Sequence, residues 1–472
     1  MRILFYSTNS SLYDGEKILT KTLPSWAEQW DSLAKKQPEH EFVIASQLPG
    51  MFMLDLKGNE IAQKSEKIQY HLIQNDSEKK IAEELADLKP DLAIALSFYV
   101  TPYDWLTVKD AMVADFLRKT GIRTICHPVE SALICFDKWE SHNFFEKINS
   151  DGISVNHAKA VHLHHELFIN AGNRPETKSN VYRDAIFHQI KKLRFPVIIK
   201  DTTGLSSFGA DVVNNFEEAL GILRSKKTTS DRIIEEMISG DQFGCEIYGT
   251  SAGTFDGKSG EGDYKILPPF LFSVNQYGIT SPKQSVKIGP FLEENEALNE
   301  KYKLSELRKM LLKLAKALKL DGIAQVDLVF TGEKWFVVEV NPRLSGMSTT
   351  YAASAGLYLS EVIFENLINS SQSAQSSQRF GFQFKPTVNI KFPILPKERL
   401  LELNALPYTA FVNQIKNRAA RQIREQGYCE VILTGETATE LKENLLDLRE
   451  RFSDVAEEHF FERALSLCDK PV

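Results

Sequence analysis

Cysteine is scarce: there are five residues in 472, at Cys126, Cys135, Cys245, Cys429 and Cys468, and no CxxC pair. That spacing argues against a zinc ribbon or a disulfide framework and fits a reducing compartment. No apolar run approaches about 18 residues, so no transmembrane helix is expected. The opening residues, Met-Arg-Ile-Leu-Phe-Tyr-Ser, turn polar too soon for a signal-peptide core. A cytoplasmic protein is the expectation. Neither sign of charge dominates, since 56 basic and 63 acidic side chains leave a net −7. A nonspecific polyanion binder is disfavoured, and neither a nucleic-acid nor a membrane partner is expected. A local basic pocket for a small phosphate ligand stays compatible with that balance. No GxGxxG follows the first apolar segment, so a dinucleotide site is not indicated.

The chain otherwise has the composition of a folded protein, 43% hydrophobic and 25% charged. Its length suggests about three domains at roughly 150 residues each. Over the first 125 residues, short apolar strands alternate with helical stretches. Arg2–Tyr6, Glu41–Ala45, Asp91–Ser97 and Ile122–Cys126 read as buried strands, with helices at Ala82–Leu88 and Lys109–Thr120. This alternation predicts a parallel sheet covered by helices, a Rossmann-like α/β domain. Further on, Leu304, Leu307, Leu311, Leu314 and Leu318 recur at helical spacing. Ala324–Phe330 and Trp335–Val340 form a predicted hairpin about Gly332. Asn369–Gln378, rich in Ser and Gln, reads as a flexible linker. Beyond it, strands at Thr387–Phe392 and Tyr428–Leu433 and a helix at Ala438–Phe452 predict a small α+β domain.

The hairpin carries the most specific chemistry. Its first strand holds Asp327 and its second Glu339, with Asn341 two residues on. Residues two apart in a strand share a face, and folding about the turn brings Asp327 almost opposite Glu339. Two ionised carboxylates so close repel unless a cation lies between them. Hard oxygen donors of this kind suit magnesium shared with phosphates. Arg343, after Pro342, is in reach to hold a phosphoryl group with its planar fork.

Two further blocks fit a nucleotide. Phe195–Lys200 is an apolar strand ending in a lysine, followed by the small-residue run Asp201–Ala210. Glycine and serine there let backbone N–H groups approach phosphate oxygens. Ile233–Gly240 is an apolar strand ending in Glu235 and Glu236, where an acid can accept from an adenine amino group. Four histidines, His157, His162, His164 and His165, lie near Glu166. A zinc site is a weaker reading for them than a solvated or substrate-lining strand, because no cysteine supports it. Ser141 and His142 lack an acid that would complete a triad.

In this order, with the metal hairpin last, the blocks resemble the ATP-grasp superfamily of carboxylate–amine ligases, over roughly Pro128 to Leu367. The resemblance implies an α/β fold: an N-terminal Rossmann-like domain at 1–127 and an ATP-grasp domain at 128–368, its lid at about 153–240. A linker at 369–379 and an α+β domain at 380–472 would follow. It implies that Asp137-Lys138 opens a helix, and that Lys138 and Lys200 contact the ATP phosphates beneath a loop containing Ser206, Ser207 and Gly209. Glu235 would accept from the adenine amino group, and Glu236 and Ile238 would meet the ring through backbone atoms. Gln242 stands where an acid commonly holds the ribose, with Asp241 as a substitute. Lys283 or Lys287 would add a phosphate contact. Asp327, Glu339 and Asn341 would hold Mg2+, with Mn2+ as a substitute, and Arg343 would stabilise an acyl phosphate.

The implied activity is ATP-dependent, ADP-forming ligation of small-molecule carboxylate and amine substrates, in the manner of amino-acid ligases. A homodimer is compatible with it. The alternative is a nucleotide-binding regulatory protein of the same fold that lacks turnover; the complete metal set favours the enzyme.

Overall fold

The computed structural model describes residues 1–8, 15–18, 26–47, 53, 67–97, 106–169, 179–203, 210–224, 230–251, 263–275, 286–368, 382–417 and 428–469. The predicted linker and the loop holding Ser206, Ser207 and Gly209 lie outside these residues, as does Lys283.

The N-terminal strands form a five-stranded parallel sheet in the order Ile68–Leu72, Glu41–Ser46, Arg2–Ser7, Leu92–Ala95, Arg123–Ile125. Alternate residues of the central strand face different cores: Ile3 and Phe5 one, Leu4 and Tyr6 the other. Each fully buried apolar side chain of this kind contributes about 1.5–3 kcal/mol. The strand Ile68–Leu72 has no counterpart in the sequence reading. Its residues Ile-Gln-Tyr-His-Leu mix polar and apolar types, as an edge strand tolerates. The core over Ile3 and Phe5 also takes in Tyr248, Leu344 and Met347 from the middle of the chain. The parallel sheet and the middle segment therefore share a core.

A second sheet is antiparallel and has four strands in the order Ala160–Leu163, Arg232–Glu236, Val197–Asp201, Asp211–Val213. The third sheet is the largest. From one edge it runs Trp335–Asn341, Gly322–Phe330, Asp241–Thr250, Phe270–Phe272, Val286–Gly289, and then continues into Thr387–Phe392, Tyr428–Thr434 and Thr409–Asn417. Strands before and after position 380 thus share one hydrogen-bonded sheet. The helix Leu304–Ala317 buries Leu304, Leu307, Leu311 and Leu314 against it, the stripe its leucine spacing predicts.

Gly240 leads from the second sheet into the third. A Cβ there would lie 2.2 Å from the carbonyl oxygen of Phe330. Gly240→Ala is expected to push the two backbones apart and cost about 1–3 kcal/mol. Thermal unfolding measures this, and an unchanged melting temperature would contradict the close approach.

Candidate active site

The hairpin register brings the acids together. Asp327 pairs with Glu339, and Gln325 with Asn341. A bulge follows, since Leu328 pairs with Val337 and leaves Val338 as the extra residue. The Gln325 amide donates to Asp327 Oδ1 at 2.6 Å, and Asn341 Nδ2 donates to Gln325 Oε1 at 3.0 Å. Arg343 donates to Asn341 Oδ1 at 3.1 Å and to the Leu344 carbonyl at 3.3 Å. Lys138 lies 3.0 Å from Glu339 Oε1. Gln325 is absent from the sequence reading, although it lies two residues before Asp327 and so on the same face.

Burial and the neighbouring Glu339 charge push the Asp327 carboxyl up to about 6. Burial would also raise Glu339, but Lys138, Lys200 and Arg343 together hold it below its ordinary value. The pair therefore carries one firmly ionised carboxylate and one that, without a cation, ionises only as pH rises through about 6. Two carboxylates and an amide oxygen on one face match the hard-donor preference of Mg2+.

The other predicted residues approach from two directions. Lys138 opens the helix Lys138–Ser150, and Asp137 caps it by accepting from the Trp139 and Glu140 N–H groups. The Lys138 N–H donates to the Thr202 carbonyl at 2.8 Å, which joins this helix to the end of the strand Val197–Asp201. Lys200 on that strand is ion-paired with Glu235 on its neighbour. Burial would lower the Lys200 ammonium, but Glu235 outweighs it and the value is raised. Glu236 accepts from the Arg194 N–H at 3.0 Å, and its own N–H donates to the Lys159 carbonyl at 2.9 Å. A ring-edge contact from the Glu236 backbone therefore falls to its carbonyl oxygen.

Lys138, Lys200, Glu235, Glu236, Ile238, Gln242, Asp327 and Glu339 all line one cleft between the second and third sheets. Ala210, the last residue of the small-residue run, also borders it. Lys287 is buried, donates to the Gly346 carbonyl at 3.3 Å and is lowered to about 8 by burial and then by Lys391. Asp327 and Glu246 are among the charges acting on it.

A buried acid that sequence reasoning missed stands behind Arg343. Glu246 accepts from the hydroxyls of Ser345, Ser348 and Tyr248. Burial lifts it to about 7 against those hydrogen bonds. Ser345 also caps the helix Gly346–Ala355, accepting from the Met347 N–H at 2.9 Å. The Leu344 N–H donates to the Ser97 carbonyl at 2.9 Å, just past the strand Leu92–Ala95. The Arg343 loop is thereby held against the carboxyl ends of the N-terminal parallel strands, where α/β sheets commonly bind ligands. Glu246 and Ser345 are 99 residues apart, so no local pattern links them.

The described cysteines are all free thiols, and no described helix is long and apolar enough to cross a membrane.

This fold is the ATP-grasp fold, shared with solved structures of low sequence identity. Within it, residues 171–370 match the family described as D-ala D-ala ligase C-terminus. The chain is 28% identical over 194 residues to D-alanine--D-alanine ligase A of Clostridium perfringens, covering 39% of this chain and 56% of that protein. It thus spans little more than half the length of that relative. Two solved structures share the fold over nearly the whole chain. The N5-carboxyaminoimidazole ribonucleotide synthetase from Thermus thermophilus superposes with a TM-score of 0.58 at 14% identity, covering 97% of this chain and 99% of that one. The L-amino acid ligase from Bacillus licheniformis gives 0.58 at 12%, covering 96% and 97%.

Proposed function

We propose that the chain is an ATP-dependent carboxylate–amine ligase that forms an amide or peptide bond on an amino acid or small peptide through an acyl phosphate. The observation that carries this reading is the meeting of Asp327 and Glu339 with Lys138, Lys200 and Gln242 around one cleft, with Arg343 beside them. The amino-acid ligases among the similar proteins support the substrate class.

A substrate carboxylate oxygen attacks the γ-phosphorus of ATP, and ADP leaves. The amine nitrogen then attacks the acyl carbon, inorganic phosphate departs, and the nitrogen loses a proton. Lys138 and Lys200 neutralise phosphate charge, and Arg343 holds the acyl phosphate through its fork. Nucleotide entry exchanges the Lys200–Glu235 pair: the lysine turns to phosphate and the carboxylate accepts from the adenine amino group. Asp327, Glu339 and Asn341 would hold Mg2+, which spreads the charge of the transferring phosphoryl group when bound. The Glu246-anchored loop fixes Arg343 at the acceptor side.

The test is ADP release against a panel of amino acids, singly and in pairs. Release that requires both a carboxylate and an amine supports the reading. Magnesium-dependent ATP binding with no release under any pair would support the non-catalytic alternative.

The cation site carries its own pH dependence. The folded Asp327 value, about 6, lies above the ordinary unfolded value of about 3.9. Without metal, its contribution to stability is complete below about pH 4 and is lost as pH rises through about 6. Cation binding runs the other way, because it needs the ionised form. Mn2+ affinity, followed by the EPR signal of free Mn2+, is expected to fall at least about fivefold from pH 7.5 to pH 5. Equal affinity at both values would contradict the Asp327 assignment.

A further inference from the structure

His142, Glu146 and His157 lie outside the machinery just described, yet both histidines line the cleft. We propose that these three side chains form a second metal site, one for a borderline transition-metal dication of the Zn2+ class.

His142 and Glu146 are four apart on the helix Lys138–Ser150 and so share a face. The chain then turns back, and its return is clamped. Asn149 Oδ1 accepts from the Val155 N–H at 2.7 Å, and Asn149 Nδ2 donates to the Val155 carbonyl at 2.9 Å. Val155 itself is buried in the main core. This clamp sets His157 beside the helix, where its ring meets that of His142 at 5.0 Å and 76°. The other face of His142 stacks on Trp139 at 5.0 Å and 16°.

The tautomer of His157 is the telling detail. Its Nδ1 lies 3.1 Å from the Val155 carbonyl, which can only accept, so Nδ1 carries a proton. In the neutral ring, Nε2 is then a bare lone pair 3.0 Å from Glu146 Oε1. Two lone pairs at that separation repel, so a cation belongs between them: a second proton or a metal ion. A backbone carbonyl holding the far nitrogen of an imidazole is the usual support of a metal-ligating histidine. One donor atom from each of the three residues lies within 4.8 Å of the others. Zinc ligands at about 2.0–2.1 Å need only a modest contraction of that set. Two imidazoles and one carboxylate select Zn2+, Co2+ or Ni2+ over Mg2+.

A similar group, His162, His164 and Asp231, lies on the far side of Trp139. There Asp231 already accepts from the His165 N–H at 2.9 Å and faces His164 Nδ1 at 3.1 Å, so it serves as a clasp on the turn.

The test is a Co2+ titration of the nucleotide-free full-length protein in excess Mg2+, read by visible d–d absorption and checked by calorimetry with Zn2+. One equivalent is expected to bind, about 10-fold or more weakly in His157→Ala and in Glu146→Gln, and unchanged in Asp327→Asn and His164→Ala. Glu146 is solvent-exposed, so its variant keeps the fold and carries the result if His157→Ala does not. No stoichiometric Co2+ binding would overturn the proposal, leaving Glu146 paired with a doubly protonated His157. Binding that survives Glu146→Gln but is lost in His164→Ala or Asp327→Asn would also overturn it. None of these outcomes depends on the ligase reading, because none requires turnover.

Discussion

Glu339→Gln is expected to lower substrate-dependent ADP release at least about 100-fold, equivalent to about 2.7 kcal/mol of transition-state stabilisation. The substitution keeps the shape of the side chain and removes its charge. Two effects on the resting protein oppose each other. Lys138 loses its partner at 3.0 Å, while Asp327 is freed from the like charge that helps push it up to about 6. The melting temperature should therefore move by no more than about 4 °C. A large loss of rate with the fold retained would show that Glu339 acts on the reaction. A rate within threefold of the parent would remove it from the cation site.

Arg343→Ala should produce a loss of similar size with a different signature. The guanidinium is buried and fixed by Asn341 Oδ1 and the Leu344 carbonyl. It stands beyond the acids rather than among the residues lining the cleft. The expected result is a kcat reduced at least about 100-fold with KM for ATP changed by less than about threefold. Arg343→Lys should recover only a small part, because an ammonium cannot reproduce a planar two-point contact. A loss appearing mainly in KM for ATP would move Arg343 from the acyl phosphate to the nucleotide.

The parts of this site that are legible in the sequence are those made within one short segment. Asp327, Glu339 and Asn341 span a single hairpin, so the two-residue period and one turn suffice to bring them together. The helix after Asp137 is equally local, being signalled by its cap. Gln325 was within reach of the same argument and is passed over only because an amide on a strand carries no obvious chemistry. What stays hidden depends on pairing between distant strands. Lys200 meets Glu235 because their strands are neighbours, and Glu246 meets Ser345 across 99 residues. The sheet that continues past position 380 is likewise a matter of which edges find each other, which periodicity does not encode. The histidine cluster shows the same limit. Glu166 is the acid nearest in sequence, yet the acids that face these rings are Glu146 and Asp231, the latter 67 residues from His164.

The claim beneath all of this is that phosphate passes to a carboxylate before an amine arrives. The most direct measurement uses an amino acid with 18O in its carboxylate and follows the label by mass spectrometry into the inorganic phosphate released with ADP. Transfer through an acyl phosphate predicts one labelled oxygen in each phosphate. Phosphate whose new oxygen comes only from solvent water would mean that ATP is merely hydrolysed, and would contradict the account.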